Sequence, residues 1–113
     1  TRLWCHLADV IEEIGAHQGH YASDLVTMFN GDINYINDAL EITRKRLQTI
    51  KYLIQNKPVD FLMTVFTEID RVSHFYWNYM SNNDGNADLR DAIKNIYIET
   101  NRVLREILEL VDE

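Results

Sequence analysis

The chain has 113 residues, 46% of them hydrophobic and 26% charged, the profile of a single globular unit or part of one. Its net charge of −7 is scattered along the chain rather than gathered in a tail, and such a field repels phosphate backbones, so nucleic acid is not an expected partner. No apolar run approaches the ~20 residues of a membrane-spanning helix, and the single cysteine, Cys5, excludes an intrachain disulfide or a thiolate zinc cluster within one chain while leaving the compartment undecided.

In chain order, Leu3, Leu7, Val10, Ile11 and Ile14 recur at three and four residues and predict a helix over 3–14, stopped at Gly15. Residues 15–31 hold Gly19, Ser23, Asn30, Gly31 and two histidines, and read as irregular. Ile36, Leu40, Thr43, Leu47, Ile50 and Ile54 then follow an alternating four–three spacing, which predicts a long amphipathic helix over 33–56. Asp32 and Asn34 are capping types at its start. Pro58 ends it, because proline disfavours helix in the residue before it and cannot donate to the ladder.

Residues 59–69 form an apolar, β-branched and aromatic run that predicts a strand covered on both faces. Such a strand needs neighbours to satisfy its backbone groups, and no second strand is legible, so completion across a dimer is expected. Val72, Phe75, Tyr76, Trp77, Tyr79 and Met80 predict a short helix over 71–80, followed by a polar loop. Leu89, Ile93, Ile96, Thr100, Val103, Ile107 and Leu110 predict a second long helix over 88–111.

The sharpest local feature is Asp70-Arg71-Val72-Ser73-His74. Residues four apart share a helix face, so a carboxylate and an imidazole can point at one ion, and this oxygen-plus-nitrogen set suits zinc or manganese. The spacing alone is more often the mark of a capping aspartate and a surface histidine. Glu68 and Arg71 flank the pair as tuning groups or as a solvated ion pair. Thr67 and Ser73 have no base with an orienting third group and are poor nucleophiles. Phe75, Tyr76, Trp77 and Tyr79 read either as pocket lining or as core. His17 and His20, with Asp24 nearby, read as exposed loop residues rather than a metal site, and His6 as a helix-surface residue.

The string from Pro58 through Thr67-Glu68-Ile69 into Asp70-Arg71-Val72-Ser73-His74 and Phe75-Tyr76-Trp77 resembles the type I phosphodiesterase and nucleotide pyrophosphatase group of the alkaline phosphatase superfamily. In that group a buried strand ends in a D-x-x-x-H motif. The resemblance covers residues 33–113 and implies an α/β fragment of an alkaline-phosphatase-like fold, mostly helical with one central-type strand. It implies that Asp70 and His74 are ligands of one ion of a two-metal site, with zinc or manganese as cofactor and a small phosphate ester as substrate. The nucleophile and the remaining ligands are then expected outside this chain, which alone is expected to be inactive. The alternative from the residues themselves is a helical interaction module, in which the stripes of 33–56 and 88–111 pack together or on a partner, without chemistry.

Overall fold

The computed structural model describes residues 13, 15–16, 25, 27–57 and 60–111. From residue 27 on, the described residues form four helices: α1 (Asn34–Asn56), α2 (Glu68–Ser81), α3 (Ala87–Arg90) and α4 (Ala92–Val111). The helix predicted over 3–14 lies outside the described residues except for Glu13, which is helical, as are Gly15 and Ala16. His6, His17, His20 and Asp24 also lie outside them.

α1 begins where the chain turns at Gly31, whose φ of +78° is the left-handed region that glycine enters without strain. The Asp32 carboxylate accepts from the Asn34 amide at 3.0 Å and fixes the entry. The end is closed by the Lys57 amide, which donates to the Leu53 carbonyl at 2.8 Å just before Pro58. There the Glu13 carboxylate accepts from Lys57 Nζ at 3.0 Å and from the Tyr52 hydroxyl at 2.9 Å, tying residue 13 to this end of α1. After α2, Asn83 takes a φ of +51° in the polar turn, and Asn86 caps α3 by accepting from the Asp88 amide at 3.0 Å. The predicted helix over 88–111 is divided: Asp91 interrupts it as a turn between α3 and α4.

Two ion pairs give the packing sense of the long helices. Arg44 Nε meets Glu99 Oε1 at 2.9 Å and Lys51 Nζ meets Glu106 Oε1 at 2.7 Å, each pair 55 residues apart, so α1 and α4 run side by side in the same direction. α2 runs against α1, since Glu68 at its start meets Arg46 while Tyr76 further along meets Ile36 nearer the start of α1. Tyr35, Ile36 and Ala39 from α1, Val72 and Tyr76 from α2, and Leu89, Ala92, Ile93 and Ile96 from α3 and α4 form the core cluster. Burial of such side chains is worth roughly 1.5–3 kcal/mol each for the larger aliphatic and aromatic ones.

The strand predicted over 59–69 is not formed, and the α/β fold class is overturned with it: among the described residues there are helices and no strand. Residues 61–67 are irregular, and Glu68 and Ile69 already belong to α2. The reason is the one that made a lone strand costly. Its N–H and C=O groups would have no ladder to join, and in an exposed irregular segment they are open to water instead. The apolar run is consequently open to solvent, with Phe61 80%, Met63 75% and Val65 56% exposed. The expected completion of a sheet across a dimer has no strand to complete.

Candidate metal centre

α2 is amphipathic across its short length. Val72 and Tyr76 are fully buried and Glu68 nearly so, which turns Asp70, His74 and Trp77 to the opposite flank. The acidic residues Glu68 and Asp70 sit in the first turn, where the helix dipole favours negative charge. The N-cap residue Thr67 makes no side-chain cap bond, so this end depends on other contacts.

Asp70 Oδ1 and His74 Nε2 stand 3.5 Å apart, with 79% and 73% of their side chains exposed. That separation is long for a hydrogen bond. It is the separation of an exposed i,i+4 carboxylate–imidazole pair. It is also compatible with two donors on one tetrahedral ion with bonds of about 2.1 Å, which stand about 3.4 Å apart. The pair opens, with Ser73 and Trp77, onto a shallow surface depression of about 270 Å³. Its donors are chemically right for a divalent ion and incomplete as a set. Among the described residues no group of three His, Cys, Asp or Glu gathers in one place.

The other residues singled out in the sequence divide sharply. Tyr76 is core, its hydroxyl pushed up in pKa by burial, against the lowering effect of the Ile36 amide bonded to it. Phe75, 43% exposed, stacks on Phe29 with ring centroids 5.0 Å apart. Tyr79 packs partly buried on the same cluster. Trp77, 56% exposed, is the one of these aromatics that borders the depression. Glu68 is neither solvated nor aimed at the pair: it is 2% exposed and its Oε1 lies 3.0 Å from Arg46 Nε. Its second oxygen, Oε2, has no hydrogen-bond partner among the described residues. Arg46 escaped the sequence reading, because nothing in Arg44-Lys45-Arg46 says which of three neighbouring cations meets a carboxylate more than twenty positions away.

No protein-family model, no curated protein and no solved structure matches the chain. The string of 58–77 that carries the resemblance lacks the buried strand expected in it, since residues 61–67 are irregular.

Proposed function

We propose that the chain is part of a metal-dependent phosphoric ester hydrolase, to which it contributes Asp70 and His74 as two ligands of one divalent ion, zinc or manganese. The observation that carries this reading is the 3.5 Å between Asp70 Oδ1 and His74 Nε2 within the D-x-x-x-H string, on a flank of α2 that leaves both heads open. When bound, the ion would act as a Lewis acid on a phosphoryl oxygen. Asp70 would offset part of the ion's charge, and His74 would bind it through an unprotonated ring nitrogen. Trp77 gives the depression an apolar wall beside the two ligands. The further ligands and the nucleophile are expected from outside this chain.

Substitution in the longer protein tests this. Asp70→Asn and His74→Gln should each remove hydrolysis of bis(p-nitrophenyl) phosphate, and unchanged turnover would sink the assignment. The 113-residue chain alone should show no turnover of the same ester. Rapid hydrolysis by it would contradict the claim that the nucleophile lies elsewhere.

One observation favours a second reading, a helical interaction module. α4 carries two apolar stripes, one buried through Ile93, Ile96, Thr100 and Val103, and one open to solvent through Tyr97, Leu104, Leu108 and Val111, each of these 48–59% exposed. An open stripe of this kind marks a surface that another structure covers. A soluble monomer that keeps full hydrolase activity in the longer protein after Leu104→Lys and Leu108→Lys would remove the support for this reading.

A further inference from the structure

The two proposed ligands are held unequally. His74 lies in the body of α2 between Val72 and Tyr76, both fully buried. Asp70 is the third residue of the helix, in the turn whose amides have no intrahelical acceptors. With no side-chain cap from Thr67, that turn frays unless something else fastens it.

The fastening comes from α1. Arg46 Nη1 donates to the Val65 carbonyl at 2.7 Å, and Arg46 Nε lies 3.0 Å from Glu68 Oε1, with the two side chains 11% and 2% exposed. One guanidinium therefore touches the chain on both sides of the N-cap residue, by a hydrogen bond to Val65 and by a charge pair with Glu68 in which Nε makes no hydrogen bond. A planar guanidinium can donate to a carbonyl through one nitrogen while its charge faces a carboxylate, a geometry that a lysine ammonium on a flexible stem does not reproduce.

We propose that Arg46 is the positioning residue of this site: by holding Val65 and Glu68 it fixes the first turn of α2 and keeps Asp70 at chelating distance from His74. The proposal rests on the reading of Asp70 and His74 as ligands. Glu68 serves as the anchor that Arg46 holds, and the ligands themselves stay on the open flank.

The test uses the 113-residue chain, with zinc ion as probe. The double variant Arg46→Met with Glu68→Met removes both charges together, so that neither is left buried alone. Arg46→Lys keeps the charge and loses the planar guanidinium. The first readout needs no metal: exchange of the Arg71 amide, which donates to the Thr67 carbonyl at 3.2 Å and closes the first turn. It should quicken by about tenfold or more in the double variant and less in Arg46→Lys, while amides in the body of α1 keep their rates. The second readout is zinc affinity followed through the His74 ring signals, expected to fall by about tenfold or more, the size typical of outer-shell partners of metal ligands. Equal Arg71 exchange overturns the clamp, and quickened exchange with equal zinc affinity overturns its role in positioning. Asp70→Asn is the control. If it leaves zinc affinity unchanged the ligand reading fails and takes the chelation role with it, and the Arg71 exchange rate then still decides the clamp. If the double variant does not fold, the same two readouts on Arg46→Lys decide in the same way.

Discussion

The Tyr76 hydroxyl donates to the Asp32 carbonyl at 2.7 Å and accepts from the Ile36 amide at 3.1 Å, so one phenol on α2 closes the first turn of α1. The N-cap residue of α1, Ile33, makes no side-chain cap bond, and the Asp32 carboxylate takes the Asn34 amide, so the Ile36 amide is met by Tyr76. The same ring packs edge-on against Phe29 at 5.0 Å. Sequence places Tyr76 on an apolar face, and the fold adds the polar task at its tip.

Tyr76→Phe separates the two roles. The ring and its burial remain, and a buried amide and a part-buried carbonyl lose their partner, which costs about 1–3 kcal/mol. Urea unfolding at neutral pH should show this loss without a change in helix content, and an unchanged midpoint would mean that solvent replaces the hydroxyl. Because burial raises the Tyr76 pKa above its ordinary 10.0, the wild-type chain should lose stability as pH climbs through that raised value. The alkaline loss should shrink in Tyr76→Phe.

Glu99 predicts the opposite limb. Its carboxylate accepts from Arg102 Nη2 at 2.7 Å, from Arg102 Nε at 3.2 Å and from Arg44 Nε at 2.9 Å. The hydrogen bonds from Arg102 are the first cause that holds its pKa below the usual 4.5, with Arg44 assisting and partial burial opposing. A carboxyl lowered on folding adds stability that is present above its ordinary value and is lost as pH falls through the lowered one. Unfolding by urea at neutral pH and in acid should therefore show a steeper acid loss for wild type than for Glu99→Gln. Parallel curves would mean that Glu99 is not titrating differently on folding. Glu106, lowered chiefly by its bond from Lys51, contributes in the same direction at the surface.

The open segment before α2 gives a third expectation. Phe61 and Met63 are 80% and 75% exposed, so replacing both by serine should change stability by no more than about 0.5 kcal/mol. Solubility should rise, since an exposed apolar and β-prone run promotes association. A loss of several times that size in thermal or urea unfolding would show that the segment is packed after all.

Much of the helical plan was legible, whereas the run read as a strand is irregular, for one physical reason. α1 and α2 announce themselves because an amphipathic helix satisfies its own backbone and needs only an apolar stripe to dock. Ile36, Leu47 and Ile50 on one helix, and Val72 and Tyr76 on the other, supply that stripe and are buried. A run such as Phe61-Leu62-Met63-Thr64-Val65-Phe66 shows the same apolar content, yet its conformation depends on neighbours that no local pattern reveals. The break at Asp91 was hidden because the apolar spacing continues across it from Leu89 to Ile93. At the candidate site, Asp70 and His74 could be read from their interval. The grip of Arg46 could not, because it exists only once α1 and α2 cross.

The parallel run of α1 beside α4 bears on how the chain reaches this arrangement. α2 and α4 are joined by a short turn and α3, and they can meet early. The Arg44–Glu99 and Lys51–Glu106 contacts close a loop of 55 residues, and the chain entropy of closing it must be met before those contacts reward it. The α2–α4 hairpin should therefore form in the folding transition state and α1 should dock late. Stopped-flow kinetics would show this as Ile96→Val slowing folding while Lys51→Met chiefly quickens unfolding. A slowed folding limb for Lys51→Met would reverse that order.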